Sequence, residues 1–480
     1  MKFTVEQIVS ATAGRIIERK WKTFDGVSTD SRKIFAHQLF IPLRGSSFDG
    51  HDFIESALKA GARGFLFQEG RMSKEKGKEI AEKYGASAIE VDDTLYALGE
   101  LARWSRMRFR HIPLSTITGS AGKSTTKEMT ANILSQRGNV LKNEGNLNNL
   151  IGLPLTLLNL SDDVIAAVVE LGTNEPGEIK RLAEISIPDV ACVTNVGPVH
   201  LEGLGSIEGV AEEKSALPYS LDESAVFIAN VDNAYTAEMA RKTRARVVAY
   251  GLSSKPTFTH ELFVSAENLR TDLLGSSFIL KVGDKCIEVK LGVPGVHNVS
   301  NALAGAAIAF VMRAREEEIA KGLMEYKPLK WRAQIHNLQN EVTVIEDCYN
   351  SNPLGALAAL EMLSQAISRK IAVLGDMLEL GESSAREHYK LGEESALKGV
   401  DILIAVGSFA NEMIRGFKEK KSEDGEVVIA STPREAGEKL VGLLRKGDTV
   451  LVKASRGVHL EEVLPIVKEG LCVGEEKSES

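Results

Sequence analysis

The sequence predicts an α/β protein of three domains whose sheets are largely parallel. Three observations carry this. The chain has 480 residues, more than one hydrophobic core serves, and that length suggests roughly three domains. Apolar runs of strand length alternate with helix-length segments, the pattern of βαβ units. A glycine-rich turn, TGSAGKST at 118–125, joins an apolar strand to a helix, the kind of junction at which parallel sheets hold phosphate groups.

The elements follow in order. Residues 1–92 hold expected short strands at 39–43 and 64–68 and a helix at 54–60. A second domain, 93–326, opens after Asp93 with the helical TLYALGELARWSRMR and the strand LSTIT. It alternates through strands at 164–171 and 190–196 to a small-residue helix over 298–313. The third, 327–480, is the most regular and Rossmann-like. Its strands are VTVIED, KIAVLG, DILIAVG, EVVIA and DTVLVKAS, separated by helical stretches beginning at Gly355, Ala385 and Pro433. Only residues 278–292 read as an antiparallel hairpin, turning at Gly283-Asp284. The acidic tail EEKSES is expected to fray.

Composition narrows the function. With 43% hydrophobic and 26% charged residues the chain is an ordinary globular one, and a net charge of −8 argues against a nucleic-acid partner. The basic run of Arg103, Arg106, Arg108, Arg110 and His111 reads as a charged helix face and linker, or as an interdomain anion contact. Cys192, Cys286, Cys348 and Cys472 form no C-x-x-C pair, which fits a reducing cytosol rather than zinc or disulfides. The opening MKFTVEQIVSATAG lacks a signal peptide's apolar core, and no run reaches the ~20 residues of a membrane span. A cytoplasmic protein without a membrane span is expected.

The chemistry-bearing residues cluster at predicted strand ends. In the loop, Gly119, Ser120, Ala121 and Gly122 can curl backbone N–H groups round a phosphate, with Lys123 as a mobile cation and the hydroxyls of Ser124 and Thr125 beside it. Ser124 stands where a hydroxyl would ligate Mg²⁺. The general pattern has glycine where this chain has Ile117, so the loop is the shorter G-x-x-G-K-S variant. Glu170, closing a strand beside that loop, can hold Mg²⁺ directly or through water; alone it would be a surface acid. The next strand delivers Asn195 and then His200, either a ligand or a structural donor. Asn143–Asn149, NEGNLNN, is dense in amides that could position a carboxylate or phosphate, or merely form a polar turn before a helix. Asn298 could cap a helix, and Asn301, one turn on, points to nucleotide contact. DCYNSNP (347–353) and GDMLELG (375–381) each close a strand, and two polar strand ends side by side imply one cleft.

Taken together, in this order, these blocks resemble the Mur ligase family, ATP-dependent amide-forming enzymes of peptidoglycan assembly. The resemblance runs through VSTDSR (27–32), LFIPLRGSSFDGHDF (39–53), TGSAGKST, NLNNLIGLPLTLL (146–158), VVELGTNEPGEI (168–179), TNVGPVHLEGLGSIEGVAEEK (194–214), HNVSNALAG (297–305), EDCYNSNP (346–353) and LGDMLELG (374–381). It implies an N-terminal domain for a UDP-sugar, with Ser28, Asp30, Ser31, Arg32, Arg44 and Gly45 near the substrate, and a central phosphate-loop ATPase domain. It further implies ATP contacts at Lys123, Asn298, Asn301, Arg332, Asp347 and Tyr349, and substrate contacts at Asn146, Asn149, Asn350, Asp376, Glu379 and Arg456. Two Mg²⁺ sites would draw on Ser124, Glu170, His200 and Lys214, the last matching the family's carbamylated lysine (N6-carboxylysine). Lys123, Lys214, His200 and Glu170 are thus the implied catalytic set. The adjacent Glu212 and Glu213 are expected to favour a charged Lys214, which opposes carbamylation.

Family members that add diaminopimelate or lysine carry D-N-P-R where this chain has NSNP, so the resemblance favours addition of D-alanyl-D-alanine to UDP-N-acetylmuramoyl-tripeptide. Two departures stand out. Trp331 precedes Arg332 where relatives commonly carry glycine, and Thr173-Asn174-Glu175 replaces Ala-Asn-His. The alternatives are the ligase adding the third residue, a folylpolyglutamate synthetase, which shares the phosphate loop alone, and a nucleotide-dependent regulator. A monomer acting on small molecules is expected.

Overall fold

The computed structural model describes residues 2–45, 47–421 and 425–476, with side chains through Cys472 at the C-terminal end. The chain divides into two compact units. One comprises Met1–Thr116, Arg137–Thr173 and Gly177–Asp189, the other Ile117–Gln136, Asn174–Pro176 and Val190–Ser480.

In the first unit a five-stranded sheet has the order Arg15–Glu18, Ser87–Val91, Gly64–Gln68, Leu39–Phe40, Val27–Ser28. All its neighbours are parallel except the first pair. Phe40, Phe65, Phe67 and Ala88 fill its core with the helix Ile54–Ala60. The helix Thr94–Arg108 starts where Asp93 accepts the Tyr96 N–H at 2.6 Å, an N-cap that meets an otherwise orphaned donor.

Arg106 departs from the reading of the basic run as a solvated face. Its side chain is fully buried, donating to the carbonyls of Phe109, Ile112 and Ser186 and, at 2.8 Å, to Asp189 Oδ2. A buried charge persists only when paired and hydrogen-bonded throughout. Burial still lowers the guanidinium pKa to about 10. The same unit holds the parallel pair Val164–Glu170 and Asn139–Lys142.

The second unit contains two strand systems. Val190–Val193, Val226–Asn230, Arg246–Gly251 and Leu262–Asp272 run parallel in sequence order, and Gly275–Val282 and Lys285–Leu291 follow antiparallel. The expected hairpin is present with Gly283 at φ 59°. It is not the only antiparallel element: Leu262–Asp272 joins it, and Phe3–Thr4, Arg15–Glu18 and Gln334–Asn337 pair antiparallel elsewhere. These strands are short or half exposed, so they lack the apolar runs that mark buried parallel strands.

The helix Val296–Val311, rich in alanine, packs on the helix Lys123–Leu134, with Gly305 against Thr130. The last sheet has the order Gln334–Asn337, Thr343–Glu346, Thr449–Lys453, Lys370–Gly375, Ile402–Val406, Glu426–Ala430. The strand Thr449–Lys453 inserts between two earlier strands, so three C-terminal strand ends open side by side. In parallel sheets such a switch in strand order is where ligands bind. Of the tail EEKSES, Glu475 and Glu476 close the helix Val463–Glu476 and the rest lies outside the described residues.

Candidate active site

The phosphate loop is built by backbone. Gly119 and Gly122 have φ of 146° and 81°. A Cβ at Gly119 would stand 1.9 Å from Thr194 Oγ1, and one at Gly122 2.2 Å from Asn301 Oδ1. Glycine is the residue that meets both demands. Residues after the strand Val190–Val193 pin the loop: Ser120 N–H donates to Asn195 O at 3.0 Å, Ala121 N–H to Asn195 Oδ1 at 2.9 Å, and Thr194 Oγ1 to Ala121 O at 2.6 Å. Lys123 Nζ folds back to Gly119 O at 2.8 Å. The helix that begins at Lys123 has no side-chain cap, the arrangement in which terminal N–H groups meet an anion.

Beneath the loop, Lys214 is almost fully buried on the helix Ile207–Tyr219. Burial first, and then the nearby positive charge of Lys123, lowers its pKa to about 7, with Glu213 pulling the other way. The expectation that the two adjacent glutamates keep this lysine charged is therefore reversed. Glu212 is exposed, and desolvation outweighs Glu213.

A cleft of 120 Å³ faces the loop. Ser120, Lys123 and His200 line one side; Asn350, Leu378, Glu379, Ser455 and Arg456, from the three strand ends, line the other. His200 Nδ1 and Glu379 Oε2 are 2.6 Å apart, which depresses the Glu379 pKa. Both residues have positive φ, 50° and 64°.

Several expected residues are committed elsewhere within this unit. Both Asp376 carboxylate oxygens accept backbone N–H groups, from Ser408 at 2.8 Å and Phe409 at 3.1 Å. Asp347 Oδ2 takes the buried Lys453 Nζ at 2.6 Å, and its Oδ1 accepts from Ala333 N–H. Arg332 lies 4.1 Å over the Tyr349 ring and donates to Ser124 Oγ at 3.1 Å. Thr125 hydrogen-bonds the buried Tyr326. Asn298 lies inside the helix's first turn rather than at its cap, donating to Pro294 O at 2.7 Å, and Asn301 Oδ1 accepts from Thr126 Oγ1.

The first unit holds the remaining candidates. Glu170 is buried, its N–H donating to Asn143 Oδ1 at 2.9 Å and its Oε1 accepting from Asn148 Nδ2 at 2.9 Å. These two amides, from the NEGNLNN segment, were not singled out by sequence although its amide density was the signal. Asn149 instead accepts from Ile151 and Gly152 N–H to start a helix, and Asn146 is exposed. Asp30 holds Arg32 through two 2.9 Å bonds, which lower its own pKa to about 2. Ser28 Oγ bonds the Asp30 backbone, Ser31 opens the turn Ser31–Lys33, and Arg44 and Gly45 form a small bridge to Asp49 and Phe48.

Missed by sequence as well are Thr194, whose hydroxyl closes the loop, and His388, which is fully buried beneath residues 376–379. His388 Nε2 accepts the Met377 N–H at 2.8 Å, and the ring stacks on Phe409 at 4.6 Å. A single histidine on a helix carries no sequence mark of such a role.

Comparison with known proteins gives this geometry a context. Three family models match: the Mur ligase family catalytic domain over residues 23–106, the Mur ligase middle domain over 117–309, and the Mur ligase glutamate ligase domain over 331–456. The chain is 37% identical to UDP-N-acetylmuramoyl-tripeptide–D-alanyl-D-alanine ligase of Treponema pallidum, covering 98% of this chain and 100% of the relative. Crystal structure I of MurF from Acinetobacter baumannii superposes with a TM-score of 0.88 at 30% identity, covering 98% and 99% of the two chains. MurF from Thermotoga maritima in complex with ADP does so with a TM-score of 0.78 at 26% identity, over 93% and 97%. By these matches, and with the three-domain α/β fold they share, the chain belongs to the Mur ligase family.

Proposed function

We propose that this chain is an ATP-dependent ligase that joins D-alanyl-D-alanine to the terminal carboxylate of UDP-N-acetylmuramoyl-tripeptide. One observation carries the reading: near-full-length similarity to ligases of that name coincides with a cleft where Lys123 of the phosphate loop faces Asn350 and Arg456. A carboxylate is a poor acylating agent. Attack on the γ-phosphorus of ATP turns it into an acyl phosphate and releases ADP; the dipeptide amine then attacks the acyl carbon and phosphate departs. Two anions must approach in the first step, so Lys123 and the loop's N–H groups lower the barrier by meeting the charge that develops.

In this reading, residues 1–92 bind the UDP-sugar through Ser28, Asp30, Ser31, Arg32, Arg44 and Gly45. Residues 93–326 bind ATP, and 327–480 bind nucleotide and dipeptide. Asn298, Asn301, Arg332, Asp347 and Tyr349 serve the nucleotide, Asn350 and Arg456 the dipeptide.

The residues also suit Mg²⁺. Among the described residues no three His, Cys, Asp or Glu side chains converge on one point; in this reading the Ser124 hydroxyl, a carbamylated Lys214 and nucleotide oxygens would also hold the metal. His200 meets the Glu379 carboxylate at Nδ1, the outer contact that frees Nε2 to act as a ligand. Glu170 is oriented by Asn148. Lys214, shifted to about 7, offers at neutral pH a substantial fraction of the neutral amine that carbamylation requires. A bound Mg²⁺ would offset the charge of the approaching anions. Arg332 must leave Ser124 Oγ before a metal can take that oxygen. We read the protein as a cytoplasmic monomer.

The test is ADP release with UDP-N-acetylmuramoyl-tripeptide, with and without D-alanyl-D-alanine. Turnover only when both are present is the expected result. Turnover with diaminopimelate, lysine or glutamate in place of the dipeptide assigns the chain to another branch of the family.

A further inference from the structure

Trp331 is conspicuous on three counts. It has φ 61°, and Ala333 two residues on has φ 50°, so left-handed residues flank Arg332 on both sides. A bulky side chain in that region is an outlier whose persistence points to function. Two cations lie over its indole: Lys330 Nζ is 4.2 Å and Arg456 Cζ 4.0 Å from the ring centroid. Its backbone is held twice, Trp331 N–H donating to Gln334 Oε1 and Trp331 O accepting from Tyr349 N–H, each at 3.0 Å. The ring packs against the C-terminal core, so it is a fixed surface rather than a swinging one.

Arg456 is the cation on the C-terminal side of the cleft, opposite Lys123. Its guanidinium is steered by the indole face and by pairing with Glu461, two contacts that together define an orientation. A guanidinium stacked flat on an aromatic ring keeps its in-plane N–H donors for a carboxylate. A lysine at the same place would keep the charge and lose the plane.

Building on the proposed function, we infer that Trp331 is a positioning residue: it holds the Arg456 guanidinium flat so that its free edge binds the carboxylate of the incoming dipeptide. Trp331 therefore sets the affinity for the acceptor and leaves that for ATP alone.

Steady-state kinetics on the full chain test this, with ATP and UDP-N-acetylmuramoyl-tripeptide saturating and D-alanyl-D-alanine varied. The expected result is a KM for the dipeptide raised about fivefold by Trp331→Leu, the scale of a cation–π contact at an exposed guanidinium. The KM for ATP should stay within about twofold and Trp331→Phe should restore most of the loss. Arg456→Lys should copy the Trp331→Leu effect, and the double variant should be no worse than either alone. Equal changes in both KM values, no change in either, or no rescue by phenylalanine would overturn the inference. Should Trp331→Leu fail to fold, Trp331→Met takes its place, with the same expected rise in the dipeptide KM and the same overturning results. If the parent enzyme uses no dipeptide at all, the proposed function has failed instead, and the two failures are distinguished by that control.

Discussion

The two sides of the cleft are made by opposite means. The phosphate loop is shaped by backbone: two glycines at positive φ, amides and carbonyls locked to residues 194–197, and one lysine supplying the charge. The C-terminal side is shaped by buried side chains. Lys453 is sealed against Asp347, the Asp376 carboxylate accepts the N–H groups of Ser408 and Phe409, and His388 holds Met377 from below. The contrast teaches that loss of function should come apart from loss of stability on the first side and accompany it on the second.

The sharpest way to break the contrast is Lys123→Ala. It should lower turnover by about 10³-fold, as loss of a well-placed cation or donor does, while the melting temperature stays near the parent's. An unfolded variant would contradict the backbone account. Next is Lys214→Ala, expected to cost about 100-fold in turnover and to be partly restored by acetate or formate, which can replace a carbamate. Undiminished activity would make this lysine merely structural. Below the pKa of about 7 the amine gains a proton, so activity that needs carbamate should fall as pH drops through neutrality and recover with added bicarbonate.

Gly122→Ala tests the backbone itself. A left-handed alanine costs about 1–2 kcal/mol, and the new Cβ must displace the Asn301 side chain. Nucleotide affinity, read by calorimetry, should weaken by about tenfold or more; unchanged affinity would show that the loop yields.

The smallest effect belongs to the other side. Burial holds the His388 pKa below the ordinary imidazole value of 6.5, so the folded protein resists a proton that the unfolded chain accepts. Its contribution is complete above that value and lost as pH falls through it. His388→Gln should therefore flatten the acid limb of the stability curve by up to about 1.4 kcal/mol per pH unit. Denaturant titrations at pH 7.5 and 5.5 would show it, and parallel slopes would refute it.

Much of this was legible in the chain. The strand Leu114–Thr118, the helix Thr94–Arg108, the strands Lys370–Gly375 and Glu426–Ala430, and the glycines and lysine of the phosphate loop stand where the pattern put them. Less legible were residues whose role depends on partners far along the chain. Asn148 reaches Glu170 across 22 positions, Thr194 closes a loop 73 positions earlier, and Arg106 is buried by carbonyls 80 positions on.

What the sequence determined by itself was local: hydrophobic period, strand-to-helix alternation, and the glycine pattern of a turn that must bend tightly. Those follow from sterics and periodicity acting within about 15 residues. Tertiary structure alone decided the charge states and the pairings. The Lys214 pKa is pushed down to about 7 because surrounding residues exclude water from it, and Arg456 meets Trp331 because the strand Thr449–Lys453 inserts beside the strand Thr343–Glu346. Desolvation and long-range register are properties of the packed chain, and no window of sequence contains them.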